Sequence, residues 1–130
     1  MSTKITSATP AVSLEVAYVG NGGNTGGGKY FYSFDPDPIQ VVESGVEMIF
    51  ALSESTSPTI KIVDFTSSDA LGQLTGITIN KVDQRSVTFT NKNTVPYLIQ
   101  VAVVVSDSDT KHENPNVICD PQIINTPVPP

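Results

Sequence analysis

The chain has 130 residues, of which 38% are hydrophobic and 15% charged, and its formal net charge at pH 7 is −6. This length suits a single domain with its own core, and no apolar run approaches the roughly 20 residues that a membrane-spanning helix needs. The basic residues stand singly, which argues against binding to nucleic acid or to an anionic membrane surface, since both depend on clustered Lys and Arg.

Apolar and polar residues alternate with a period of two in short stretches, which is typical of strands with one buried face. The first half of the chain predicts strands over residues 12–18, 30–34, 39–43 and 46–52, and a fifth strand that contains Ile60, Ile62 and Phe65. The segment Ser67–Gly72 is the one place where a helical turn is expected, because Ser67 or Ser68 can cap it and Gly72 can end it.

In the second half, Ile77, Ile79 and Val82 mark a strand, and Val87 with Phe89 marks the next. The long apolar stretch 97–105 predicts a central strand that is covered on both faces. A polar loop is expected over 107–116, followed by a last strand within 117–124.

About eight or nine short strands with almost no helix indicate an all-β fold, a two-sheet antiparallel Greek-key β-sandwich of immunoglobulin-like or cupredoxin-like type. We expect one domain over residues 1–130. Its core should run from about residue 10 to 125, and residues 126–130 should form a flexible proline-rich tail.

The segment Gly23–Lys29 matches the G-x-x-x-x-G-K spacing of a phosphate-binding loop. Such a loop needs Ser or Thr after the lysine and a helix whose first amides meet the phosphates. Here Tyr30 follows, at the start of a predicted strand. We therefore interpret the glycine loop as a mobile strand connection and expect no cofactor.

Six residues are candidate metal ligands, although each also has an ordinary structural interpretation. The chain has one His and one Cys, fewer soft ligands than a blue-copper or tetrahedral zinc site requires. Carboxylates spaced by one residue point the same way on an extended chain, which suits calcium, but the remainder of a calcium loop is missing. The candidates are His112, Cys119, Asp35, Asp37, Asp107 and Asp109.

No catalytic set stands out, because the Gly-x-Ser-x-Gly nucleophile motif is absent and only a Cys119–His112 pair offers a nucleophile with a base. We therefore expect a protein without enzymatic activity. One cysteine cannot form an internal disulfide, and the polar start Met1–Lys4 lacks the hydrophobic stretch of a secretory signal. Both features favour a cytoplasmic location.

Several short motifs carry a family resemblance. Val42, Gly45, Met48 and Phe50 form a Val-x-x-Gly-x-x-Met-x-Phe pattern, and the order of features from Ile39 to Asn125 resembles a cupredoxin-like or immunoglobulin-like sandwich. The ending Cys119-Asp-Pro-Gln-Ile-Ile-Asn125, together with Asp35-Pro-Asp-Pro38, resembles the bacterial DP-EP family of small proteins. This resemblance implies a β-sandwich fold and no established activity.

Two classes of function fit these features best. The first is a protein-interaction or structural module, whose exposed loops or edge strands meet a protein partner or a second copy of the chain. The alternative is a small-ligand or ion-binding domain that uses the paired aspartates, or His112 with Cys119.

Overall fold

The computed structural model of the protein describes residues 11–127. Within this range the chain forms ten strands and no helix, and hence no helix that is long and apolar enough to cross a membrane. In chain order the strands are β1 (Ala11–Tyr18), β2 (Tyr30–Asp35), β3 (Ile39–Val41), β4 (Val46–Leu52), β5 (Ile60–Ser67), β6 (Leu74–Ile79), β7 (Ser86–Asn91), β8 (Tyr97–Asp107), β9 (Asn114–Cys119) and β10 (Gln122–Asn125).

The strands form two sheets whose inner faces share one hydrophobic core. The first sheet has the order β2-β1-β4-β7-β6. The second has the order β3-β10-β8-β5, and β9 pairs with β8 beyond the end of β10. The predicted all-β, two-sheet sandwich is therefore confirmed.

The core follows the alternation seen in the sequence. On β1, for example, Val12, Leu14 and Val16 are buried while the residues between them are exposed. Phe50 of the first sheet meets Phe65 of the second, with ring centroids 6.0 Å apart and an interplanar angle of 74°. Burial of one such ring stabilises the fold by roughly 1.5–3 kcal/mol, so this contact helps to hold the two sheets together.

Two strand pairs are parallel, whereas the sequence led us to expect antiparallel sheets. β1 runs parallel to β4, and β10 runs parallel to β3. In both pairs other strands lie between the partners in the chain, which provides the long connection that parallel pairing needs. Side chains alternate with the same period in both directions, so the sequence pattern cannot distinguish them.

The predicted helical turn at Ser67–Gly72 is absent. Ser67 belongs to β5, and the Asp69 carboxylate accepts the amides of Gln73 and Leu74 at 3.0 and 2.8 Å. These two bonds direct the chain into β6 instead of into a helix.

Val82 does not belong to a strand. It is 95% exposed and lies in the turn between β6 and β7, because the Asn80 side chain accepts the Val82 amide at 2.8 Å. This side-chain bond to the amide two residues ahead is a common turn-forming contact of asparagine.

The long strand β8 is central in its sheet, as predicted, but it is fully covered on one face only. Ile99, Val101, Val103 and Val105 are buried, whereas Leu98 on the other face is 49% exposed. A sandwich has two layers, so each sheet keeps one face towards solvent.

The predicted last strand is two strands, β9 and β10, which are interrupted at Asp120 and Pro121 because proline has no amide to donate to a neighbouring strand. The expected polar loop is shorter than predicted, since β8 extends to Asp107 and β9 begins at Asn114. In the predicted tail, the Thr126 amide donates to Val41 at 2.9 Å. Residues 128–130 and the predicted domain start at about residue 10 lie outside the described residues.

Arg85 organises the connection between β4 and β5. Its guanidinium donates to four main-chain carbonyls, those of Ser53, Thr56, Ser57 and Ile60, at 2.8–3.1 Å. A lysine keeps the charge but not the planar fork that reaches several acceptors at once.

We predict that Arg85→Lys lowers the free energy of unfolding by about 1–3 kcal/mol, since several charge-assisted bonds are lost together. Urea denaturation followed by circular dichroism measures this change. Lys81→Ala is the control, because exposed substitutions usually change stability by less than about 0.5 kcal/mol. Equal stability of Arg85→Lys and the wild type would show that the connection does not depend on this fork.

Candidate functional site

Five polar and aromatic residues meet at one end of the sandwich, and we call them the Tyr–His–Asp cluster. Tyr18 ends β1, Tyr30 begins β2 and Asp107 ends β8, while Asp109 and His112 lie in the loop that leads to β9. Residues from both sheets thus converge here.

Asp107 is the buried centre of the cluster, with 4% of its surface exposed. Its carboxylate accepts bonds from the hydroxyls of Tyr30 and Thr59, each at 2.7 Å, and from the Asp109 amide at 3.0 Å. Burial by itself would raise the pKa of Asp107, but these three bonds and the nearby His112 outweigh it and lower the pKa. Asp107 therefore stays ionised although it is buried.

The His112 ring is held on three sides. Its Nδ1 lies 3.1 Å from Asp107 Oδ2, and its Nε2 lies 3.4 Å from Asp109 Oδ2. The ring stacks on Tyr18, with centroids 3.7 Å apart and an interplanar angle of 3°. Carboxylate oxygens therefore face both nitrogens of the ring, and an aromatic ring covers one of its faces.

The Tyr30 hydroxyl links the end of β8 to the loop that follows it, because it contacts both Asp107 and the main-chain oxygen of His112, the latter at 3.0 Å. Burial and the neighbouring Asp107 carboxylate raise the pKa of Tyr30 far above its usual value. The phenol is thus neutral and acts as a donor.

Of the six candidate metal ligands, the structure brings three together, namely Asp107, Asp109 and His112. The carboxylates of Asp107 and Asp109 contact different nitrogens of the His112 ring. The lone pairs of the three side chains therefore do not converge on one point, as the ligands of a single metal ion must. Within residues 11–127, no group of three or more His, Cys, Asp or Glu side chains is placed to hold a metal ion.

Asp35 and Asp37 lie away from this cluster. Asp35 ends β2 and pairs with Ser13, whereas Tyr30 begins the same strand and pairs with Tyr18. Asp35 lies five positions along β2 from Tyr30, which is about 17 Å at β-strand spacing. The two exposed aspartates are therefore not part of the cluster.

Cys119 lies in the hydrophobic core and is fully buried. It pairs with Val103, four residues along β8 from Asp107, which is about 13 Å at β-strand spacing. Burial, and then the charge of Asp120, raise the pKa of the thiol to about 12. The structure therefore does not assemble the Cys119–His112 pair that the sequence left open.

The glycine loop, residues 20–28, is folded back onto β2, where the sequence led us to expect a mobile connection. Thr25 forms an antiparallel bridge with Tyr30, with both main-chain bonds at 3.1 Å. A Cβ atom on Gly23 would lie 2.0 Å from the Tyr30 carbonyl oxygen. The glycine thus permits this close approach, and β2 follows the loop directly, where a nucleotide-binding loop would lead into a helix.

This loop also covers two sheet edges, a role that sequence reasoning missed. The Asn24 side chain donates to the Tyr32 carbonyl at 3.0 Å and accepts the Tyr32 amide at 2.8 Å, as a neighbouring strand would. The Thr25 hydroxyl donates to the Ile118 carbonyl on β9. The outer edges of β2 and β9 are thereby both occupied.

The edge of β5 is occupied in a similar way. Ile62 donates its amide to the Gln84 carbonyl at 2.7 Å, and its carbonyl accepts from the Gln84 side chain at 3.3 Å. Further along the strand, the Asp64 carboxylate accepts the Phe65 amide at 2.8 Å. The remaining edge strand of the second sheet, β3, has only three residues.

Among the residues that the structure describes, β6 is the edge strand that lacks such cover over most of its length. The Asp69 carboxylate accepts the Leu74 amide. Within residues 11–127, the one other hydrogen bond to Thr75–Ile79 that does not come from β7 is a local one, from the Thr78 hydroxyl to the Gly76 carbonyl. The Asn80 amide donates to Ser86 on β7, so alternation of antiparallel bonding turns the amide and carbonyl of Ile79 outward. We call Thr75–Ile79 the open edge.

A groove of about 600 Å³, lined by both aliphatic and polar residues, runs beside the open edge, between the two sheets. Val63 and Ile77, which flank it, are 41% and 44% exposed. We call this the edge groove, and its lining includes Ile62, Val63, Ile77, Ile79, Lys81 and Gln84. One signal was visible in the sequence, since Leu74–Ile79 contains no charged residue, whereas edge strands commonly carry charges against unwanted pairing.

No family model and no curated protein matches this chain. The resemblance to the DP-EP family therefore stays a prediction.

We predict that Asp107→Asn reduces the dependence of stability on acid pH. Because folding lowers the pKa of Asp107, its contribution is present above the unfolded pKa of about 3.9 and is lost as pH falls through the folded value. Urea denaturation at several pH values between about 3 and 6 measures the slope. The exposed Asp37→Asn is the control, and an unchanged slope in Asp107→Asn would contradict the prediction.

We also predict that the Cys119 thiol is inert in the native protein, because burial disfavours the reactive thiolate. In the native protein, a thiol reagent at about pH 8 should label Cys119 only when the protein unfolds. In concentrated urea, labelling should proceed at the rate of a free thiol. Rapid labelling of the native protein would show that the strand β9 opens readily.

Proposed function

We propose that the chain is a non-enzymatic protein-interaction module that binds an extended segment of a partner protein along the open edge of β6. The observation that carries this proposal is the contrast between edges. Main-chain groups of β2, β5 and β9 are covered by side chains or loops, whereas within residues 11–127 no side chain or loop bonds to the outward groups of Ile79. A segment that adds a strand there gains main-chain hydrogen bonds.

The edge groove supports the same interpretation. Strand addition derives its specificity from pockets that receive alternate side chains, and the groove lies where such side chains would point. Its flanks, Val63 and Ile77, are aliphatic and exposed. A partner segment that matches them has apolar residues at alternate positions.

Charge indicates the character of the partner. The open edge carries no charged residue, and Lys81 lies beside it in the groove lining. The whole chain has a formal net charge of −6, which disfavours a second copy through repulsion between like charges. We therefore propose a different protein as the partner, which contributes an uncharged, extended segment with apolar residues at alternate positions.

A bulge limits the length of the site. The pairing of β6 with β7 shifts register between Thr75 and Thr78, and Gly76 within the bulge has a φ of 67°. Bulges twist an edge strand and restrict continuous pairing. The partner is thus expected to pair over a short stretch centred on Ile77–Ile79.

The test uses random decapeptides displayed on phage and selected against the purified protein. We predict that the selected peptides alternate apolar and polar residues, and that their chemical-shift effects in the labelled protein concentrate on β5 and β6. Ile77→Lys should weaken binding at least about tenfold, since it replaces one of the two exposed aliphatic flanks of the groove with a charge.

The matched control is Ile118→Lys on β9. Ile118 is 49% exposed, close to the 44% of Ile77, but its strand edge is covered by Thr25. Peptides that bind Ile77→Lys as well as the wild type, or that lose affinity equally for Ile118→Lys, would overturn the proposal, as would a selection that yields no binder. A stable dimer that Ile77→Lys disrupts would replace the proposed partner with a second copy.

A further inference from the structure

We propose that Asn21 in the glycine loop is a site of spontaneous deamidation, and that its isoaspartate product uncovers the edge of β2. Asn21-Gly22 is the single Asn-Gly pair in the chain. Asparagine loses its side-chain amide most readily before glycine, because the following residue then has no Cβ to hinder attack by its main-chain nitrogen. This site lies outside the open edge and does not rest on the interaction proposed there.

The reaction needs only water besides the chain itself. The Gly22 amide nitrogen attacks the Cγ atom of Asn21, and its proton leaves with the side-chain nitrogen as ammonia, so that a succinimide ring remains. Water then opens the ring at either of its carbonyls, adding OH to the carbonyl carbon and H to the nitrogen. One opening gives aspartate. The other gives isoaspartate, in which the main chain runs through the former side-chain methylene.

The structure leaves this pair free to react. Asn21 and Gly22 are both exposed. In the part of the chain that the structure describes, neither the Asn21 side chain nor the Gly22 amide forms a hydrogen bond. A Cβ atom on Gly22, whose φ is 79°, would meet no atom within 4 Å. The side chain can therefore close onto the amide without displacing a neighbour.

Other asparagines are held by the contacts that Asn21 lacks. The Asn24 side chain bonds to both main-chain groups of Tyr32, and the amide of Thr25, the next residue, is itself bonded. The Asn80 side chain accepts the Val82 amide at 2.8 Å. Every asparagine except Asn21 is also followed by a residue with a side chain. Deamidation should therefore begin at Asn21.

The reacting pair spans a short distance between two fixed points of the loop. On one side the Gly20 amide donates to the Lys29 carbonyl at 3.0 Å, and on the other the Gly23 amide donates to the Gly28 carbonyl at 2.8 Å. Isoaspartate adds a methylene to the main chain between these points, whereas aspartate changes only an exposed side chain. The isoaspartate product therefore strains the bond that holds Gly23.

This strain reaches the cover of β2, because Asn24 directly follows Gly23. Asn24 takes the place of a neighbouring strand, and its side chain accepts the Tyr32 amide at 2.8 Å. When the loop shifts at Gly23, this bond weakens and the Tyr32 amide is exposed. An uncovered edge of this kind can pair with another chain. Isoaspartate formation thus converts a covered edge into a second open one.

The first experiment locates the reaction. The purified protein is kept in mildly alkaline buffer and followed by ion-exchange chromatography and peptide mass spectrometry. We expect acidic species in which OH has replaced an amide NH2, at Asn21 before any other asparagine. Asn21→Gln should lose these early species, since its longer side chain would have to close a larger ring. The control Asn116→Gln, at another exposed asparagine, should form as much as the wild type.

The second experiment measures the effect on the edge. The isoaspartate form is separated by chromatography and identified by labelling with an isoaspartate methyltransferase. Hydrogen exchange of its Tyr32 amide should be at least about tenfold faster than in the unmodified protein. Asn21→Asp, which reproduces the aspartate product, should keep the Tyr32 amide protected. The Ile62 amide, which Gln84 covers at another edge, is the internal control.

Two results would overturn the proposal. One is deamidation that appears at Asn116 as early as at Asn21, or that persists unchanged in Asn21→Gln. The other is an isoaspartate form whose Tyr32 amide is as protected as that of the unmodified protein.

Discussion

The main chain at a sheet edge has amides and carbonyls that no neighbouring strand can satisfy, and an open sandwich has several such edges. This chain satisfies many of them with side chains and loops. Asn24 bonds to Tyr32 as a strand would, Thr25 bonds to Ile118, and Gln84 bonds to Ile62. The result is a molecule with covered edges at β2, β5 and β9 and, among the described residues, an open edge at β6.

Polar groups inside the fold also need hydrogen-bond partners, and the structure supplies them. Asn91 of β7 and Asn125 of β10 exchange side-chain amide bonds of 2.8 and 2.9 Å across the core. Asp107 collects donors from β2 and from the chain before β5. Buried polar groups are costly unless paired, so these pairs also fix how the two sheets sit against each other.

Sequence reasoning recovered the strands because burial follows the period of two, as on β1, where Val12, Leu14 and Val16 are buried. It also named Asp107, Asp109 and His112, through their spacing and chemistry. It could not find Tyr18 and Tyr30 as their partners, since Tyr30 and His112 are 82 residues apart in the chain. Contacts over such separations depend on how the strands pair, which alternation does not reveal.

The glycine loop is a second case in which the sequence pattern alone did not reveal the contacts. Its spacing resembles a phosphate-binding loop, yet two of its glycines, Gly23 and Gly26, permit close approach to Tyr30. The two kinds of loop differ in the element that comes next in the chain, which is a strand here and a helix in a phosphate-binding loop. The edge caps were invisible for a related reason, because Thr25 and Ile118 are 93 residues apart.

Native-state hydrogen exchange of three outward-facing amides tests the contrast between edges most directly. Tyr32 donates to Asn24 and Ile62 donates to Gln84, so both amides should exchange slowly. The Ile79 amide points away from β7 and has no acceptor within residues 11–127, so it should exchange close to the rate of an unprotected amide. Protection of Ile79 equal to that of Tyr32 and Ile62 would contradict an open β6 edge.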